Sequence, residues 1–214
     1  MKKYEIIIKE LIKRVEKSEE LSDCLLWDIS SWEEYFNQNY TYISSKIEKL
    51  KAKYRLLSEA YEYFITKYYI PLFGEIDLYV PDADDECECS TINFNLSKVK
   101  DEFPTLLPIG NINNGDYLFL NEKGEVITFL EIAKDSKPID ELTEVLDDEY
   151  EDGWDVAYLK YPDKNGDYRM YWILARSFDE FMNECVFGDK YLEITESDDA
   201  FYRCVKEIRN DLGI

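Results

Sequence analysis

"LPIGNINNGDYLFLNEKGEV", residues 107–126, is the stretch on which the fold turns. Leu107 to Gly110 reads as the body of one strand, Gly115-Asp116 as a turn, and "DYLFLN" (116–121) as a second strand. A short turn holding Gly124 leads into a third strand, "EVITFLE" (125–131). Glycine at 124 supplies the positive φ that a tight hairpin needs, and Gly110 and Gly115 are expected to serve turn geometry as well. Apolar groups lie on both faces: Tyr117 and Phe119 against Leu118 and Leu120, and Val126 against Ile127 and Phe129. A strand with one wet face would alternate with polar residues, so these strands are expected to be central and covered on both sides.

Downstream, "WDVAYLKY" (154–161) and "YRMYWIL" (168–174) form a second hairpin around Asn165-Gly166. In "SFDEFMNECVFG" (177–188), Ser177 caps a helix and Glu180 closes a capping box. Phe178, Phe181, Met182 and Cys185 then face inward, and Gly188 ends the helix. A last amphipathic helix spans about 198–212 and uses Phe201, Cys204, Val205 and Ile208. Upstream, "EIDLYV" (75–80) and "TINFNL" (91–96) read as short strands, and 138–153 as a helical turn followed by an acidic loop.

The first 70 residues are helical by pattern. Ile8, Leu11, Ile12 and Val15 share one face. Ser31 and Glu34 fit a capping box for a second, long helix. Its seam is Phe36, Tyr40, Ile43, Ile47, Leu50, Tyr54, Leu57, Tyr61, Phe64 and Tyr68, and Pro71 ends it. The tyrosine content favours packing against the first helix or the main domain over homodimerisation, which these helices leave open. The expected organisation is a helical region, 1–70, and an acidic α+β domain, 71–214.

The chain holds no histidine, which removes Ser-His-Asp and Cys-His chemistry and the commonest base near neutral pH. Five scattered cysteines suit reduced thiols, and Cys87-x-Cys89 alone does not make a metal site. In the loops "PDADDECEC" and "DKNGD" the glycine and closing glutamate of a calcium loop are missing at their required offsets. No carboxylate pair stands out as a hydrolase site, so neither catalytic residue, metal nor cofactor is assigned. The opening "MKKYEIIIKELIKRVEK" is broken by Glu5, Lys9 and Glu10, which reads as a charged amphipathic helix rather than a signal peptide. A cytoplasmic, non-enzymatic protein is the expectation.

Charge divides the chain. Residues 1–70 hold 12 Lys+Arg and 12 Asp+Glu, whereas 71–214 hold 13 and 35, so the whole net charge of −22 sits there. Such a body repels nucleic acid and anionic membranes and steers towards basic partners.

The ordered pieces Leu107–Gly110, Gly115-Asp116, "YLFLN", Gly124 and Ser177-Phe178 to Phe181 together resemble the SUKH superfamily, the Smi/Knr-like domains, over roughly residues 91–190. Pro108, Gly110, Gly115, Asp116, Gly124, Ser177, Phe178 and Phe181 carry the resemblance. It implies a twisted antiparallel sheet flanked by helices, here with a helical N-terminal extension. It also implies a bacterial immunity protein that binds a toxin, often a nuclease, one to one, with no catalytic residues to transfer. The candidate contact surface is then Asp147, Asp148, Glu149, Glu151 and Asp152, with Asp82, Asp84, Asp85 and Glu86. Alternatives are a Smi/Knr-like scaffold that uses the tyrosine-rich helix, a DNA mimic, and a carboxylate-based hydrolase.

Overall fold

The computed structural model describes residues 2–15, 17, 21, 37, 38, 40, 41, 44, 45, 48, 59–67, 72–78, 106–112, 116–129, 158–162, 165 and 168–214. The first third contributes α1 (Lys3–Val15) and α2 (Glu59–Lys67), with further helical residues described between them at 21, 37, 38, 40, 41, 44, 45 and 48. Seven strands follow among the described residues: β1 (Leu72–Phe73), β2 (Ile76–Leu78), β3 (Leu107–Ile112), β4 (Asp116–Leu120), β5 (Val126–Phe129), β6 (Tyr158–Pro162) and β7 (Tyr168–Ala175). The chain closes with α3 (Phe178–Glu180), which widens into a π-helix over Phe181–Val186, then α4 (Lys190–Thr195) and α5 (Ala200–Leu212). This is an α+β arrangement.

All the strands lie in one antiparallel sheet of order β1-β2-β3-β4-β5-β7-β6. The first five form a meander, and the final hairpin inserts β7 beside β5, leaving β6 outside it. β4 is therefore the middle strand, as its two apolar faces require. Two register shifts bend the sheet, one in β3 between Pro108 and Gly110 and one in the β5–β7 ladder between Val126 and Ile127. Each inserts an extra residue, Ile109 and Leu174 respectively, and both join the helix-side core.

That core draws on α1 to α5 and on the π-helical turn. Tyr4, Ile7, Ile8 and Leu11 of α1 and Tyr61 and Phe64 of α2 belong to the same buried cluster as Leu107, Leu118, Leu120, Phe178 and Phe201. The helices α1 and α2 thus share a core with the sheet. An aromatic chain ties them in. Phe64 lies 5.9 Å from Phe73 and 5.6 Å from Phe178, and Phe73 lies 5.3 Å from Phe187 and 6.0 Å from Phe201. Each such fully buried ring contributes roughly 2–3 kcal/mol of hydrophobic stabilisation, with edge-on contacts adding a little more. On the other face Leu106, Phe119, Ile127 and Tyr171 form a second, smaller buried cluster. Both faces of the central strands are buried, as their apolar pattern predicts.

Three elements depart from expectation. The helix after Ser177 is capped by that residue as predicted, with Ser177 Oγ accepting from Glu180 N at 3.1 Å, but the Glu180 carboxylate accepts from Arg176 N at 2.7 Å, one residue before the cap, and the helix does not stay α-helical. Phe187 N instead donates to Met182 O, five residues back. A 3.6-residue period would turn Phe187 away from Phe178, Phe181, Met182 and Cys185, and the wider turn brings it into the core. The helix α4 has no counterpart in the sequence reading. Its six residues are too few to show an apolar period. Tyr40, assigned to a packed seam, is 56% exposed, while Tyr61 and Phe64 of the same seam are buried. The strand expected at 91–96, the helical turn at 138–153 and the capping box at Ser31 lie outside the described residues.

Candidate functional site

The carboxylates expected to form a contact surface, Asp82, Asp84, Asp85 and Glu86 with Asp147, Asp148, Glu149, Glu151 and Asp152, all lie outside the described residues, as does Gly115. The other motif residues are placed. Pro108 pairs with Phe119 just before the bulge in β3, and Asp116 opens β4. Ser177 is a cap, and Phe178 and Phe181 are fully buried. Gly124, at φ +77, serves the β4–β5 turn as expected. In that turn Asn121 Oδ1 accepts from Lys123 N and Glu125 N, and Arg176 reaches across to Glu125 at 3.2 Å. Gly110 does not serve a turn. It lies inside β3, opposite Leu78 and Leu118, where a Cβ would come within 2.1 Å of the Asp77 carbonyl. Glycine is needed there because β2 approaches too closely for a side chain.

Two carboxyl sites stand out, and neither was visible as a site in the sequence. The first joins α1 to α2. Glu5, only 3% exposed, accepts from Lys67 Nζ at 2.8 Å, Tyr63 Oη at 2.7 Å and Lys2 N at 3.1 Å. Burial alone would raise its pKa. The bonds from Lys67, Tyr63 and Lys2 and the Lys67 charge outweigh that and hold it at about 2. Around it, Lys2 Nζ bonds Asp179 at 2.7 Å, and Asn183 on the π-helix accepts from Tyr4 N at 3.1 Å. The start of α1 is thereby capped by another element. The only hint in the sequence is that Glu5 interrupts an otherwise apolar face.

The second site is the β1–β2 hairpin, which turns at Gly74 (φ +62). The Tyr191 hydroxyl accepts from Glu75 N at 2.8 Å and donates to Asp199 at 2.6 Å, which pins the turn to α4 and α5. Burial, and then the bond to Asp199, push the Tyr191 pKa up, so this hydroxyl is a fixed structural donor. On β2, Asp77 keeps a buried Oδ1 with no hydrogen-bond partner. Burial, aided by the negative charge of Glu75, pushes its pKa up to about 6. Leu72 and Asn111 are its register partners, and neither is a nucleophile or a base. Taking up a proton is what this carboxyl is equipped to do.

Cys185 is fully buried, and burial pushes its thiol up to about 12, so it remains protonated and unreactive. Among the described residues no group of three or more potential metal ligands comes together, and no helix is long and apolar enough to cross a membrane. The described surface includes the outer side of α1, where Lys3, Lys9 and Lys13 are exposed, and exposed carboxylates at Glu193, Glu196 and Asp198. Comparison of the chain with protein-family models, with curated proteins and with solved structures finds no match.

Proposed function

We propose that this chain is a non-enzymatic binding protein of the immunity type, one that captures a cognate toxin domain with a basic surface and blocks it through its acidic body. The observation that carries this reading is the segregation of charge: 13 Lys+Arg against 35 Asp+Glu in residues 71–214. A field of that size accelerates encounter with a basic partner and disfavours nucleic acid. The absence of histidine supports a binder over a hydrolase. The chain acts in the cytoplasm in this reading. Affinity purification from the native host, followed by stopped-flow association, tests it. A basic protein binding one to one is expected, with an association rate falling at least tenfold between low and physiological salt. Recovery of an acidic partner, or a rate indifferent to salt, sinks the reading.

The scaffold alternative draws on one observation, the exposure of Tyr40 on the helical segment that contains it. Deleting residues 1–70 would not separate the two readings, because α1 and α2 supply part of the core. Tyr40→Ala leaves that core intact. Loss of partner binding in this variant would favour the helix face over the acidic body.

A further inference from the structure

We propose that the β1–β2 hairpin is a proton-controlled latch on the margin of the sheet, closed while the Asp77 carboxyl carries a proton and released more often once it is ionised. The hairpin lies at one end of the strand order, and β1, two residues long, pairs with β2 alone among the described strands. It can therefore part from β3 without breaking the ladders that join β3, β4 and β5.

Its two faces are held differently. Phe73, Ile76 and Leu78 are fully buried in the helix-side core. The Tyr191 hydroxyl accepts from Glu75 N and donates to Asp199 beneath the turn. Strand alternation turns Asp77, between Ile76 and Leu78, to the opposite face. There its Oδ1 is enclosed with no hydrogen-bond partner. The register explains the gap. On β1 the partner is Leu72, which has no side-chain donor. On β3 the close neighbour is Gly110, where a Cβ would come within 2.1 Å of the Asp77 carbonyl. Asn111, the register partner on β3, makes no bond to the enclosed oxygen.

The charged groups nearby do not help. Glu75 in the turn disfavours an ionised Asp77. Tyr191 of α4 and Asp199, the cap of α5, are bonded to each other. Neither β1 nor β3 contains a titratable residue. An enclosed carboxylate with no donor and a like charge close by is relieved by water, and parting of the hairpin admits it. The protonated acid carries a far smaller penalty. The apolar face keeps the latch shut most of the time in either state, so the proton sets how often it opens. Opening transfers the free edge of the sheet from β1 to β3. Burial raises the closed-state pKa from the ordinary 3.8 to about 6, so closure is fully favoured below 3.8 and weakens as pH rises through 6. This inference is independent of the proposed toxin partner.

Native-state hydrogen exchange of the full chain, resolved by residue and corrected for intrinsic rates, tests the latch. Between pH 4.5 and pH 8 the amides of 72–78 are expected to lose about tenfold more protection than those of β4, less than the full shift because the carboxyl is only half-buried. In Asp77→Asn that difference is expected to vanish. Equal pH dependence in 72–78 and β4 overturns the proposal. So does a folded Asp77→Asn that keeps the wild-type loss, since another charge is then responsible. Far-ultraviolet circular dichroism shows whether the variant is folded. Should it not be, 13C NMR of the wild-type Asp77 carboxyl decides. A titration that coincides with the loss of protection at 72–78 supports the latch, and one at the ordinary value of 3.8 overturns it.

Discussion

Glu5, buried at the α1–α2 junction, and Asp77, half-buried on the β1–β2 hairpin with one oxygen fully enclosed, are treated by the fold in opposite ways. Glu5 has three donors within 3.1 Å and a lysine among them, so its charge is held and its pKa falls to about 2. Asp77 has an unpartnered buried oxygen and a like charge in the same hairpin, so its pKa rises to about 6. Burial pushes the pKa up in both places. What differs is whether donors converge. The α1 junction is therefore fastened by its ionised acid, whereas the hairpin is strained by its own and held by Tyr191 and the β3 ladder instead.

The strongest way to break this contrast is at Gly110, where β2 and β3 meet without a side chain between them. Gly110→Ala would drive a methyl against the Asp77 carbonyl. A loss of about 3 kcal/mol in urea unfolding is expected, from overpacking against backbone that cannot yield. If the variant is as stable as wild type, the hairpin is not held by close strand approach.

Glu5→Gln comes next. It removes the charge that Lys67 and Tyr63 converge on, and a loss of about 2 kcal/mol is expected, less than for a wholly buried pair because Lys67 is 41% exposed. The pH dependence has a definite sign. The folded pKa lies below the ordinary carboxyl value of 4.5, so Glu5 stabilises above that value, and the gain is lost as pH falls towards about 2. The Gln variant should lack this acid limb when Tm is followed between pH 2 and 6.

Asp77→Asn should act the other way. Its folded pKa is raised from 3.8, so stability is fully present below that value and is lost as pH rises through about 6. The variant is expected to be more stable than wild type by about 1 kcal/mol at pH 8 and to match it near pH 4. Equal Tm profiles for the two proteins would show that Asp77 has a donor after all.

The smallest effect is a check away from buried charge. Glu196 closes α4 at φ +55, a left-handed position for a residue with a Cβ. Glu196→Gly should gain about 0.5 kcal/mol by thermal unfolding, as relief of this strain exceeds the added freedom of the unfolded chain.

Much of the sheet was legible from local pattern. The two-faced apolar strands around Gly124 place β4 and β5 at the centre, and both faces of these strands are indeed buried. Ser177 marks its helix start because a cap is a local bond. The last helix shows its face because thirteen residues are enough to display a period. Less was legible where the cause lies far off in the chain. Gly110 looks like a turn residue until β2 is seen lying against it. Glu5 looks like a solvated helix residue until Lys67 and Tyr63 arrive from 58 to 62 positions away. Of the candidate site, the acidic runs at 82–86 and 147–152 were read from charge alone, and they lie outside the described residues.

By itself the sequence determined the class of architecture, the caps and turns, and the separation of a neutral first third from a strongly acidic remainder. These depend on neighbours within a few residues or on sums over the chain. The tertiary structure alone decided that α1 and α2 are core elements, that the Phe181–Val186 segment widens to admit Phe187, and that donors converge on Glu5 but not on the buried oxygen of Asp77. Those outcomes are set by what converges from distant positions, and no local pattern records it.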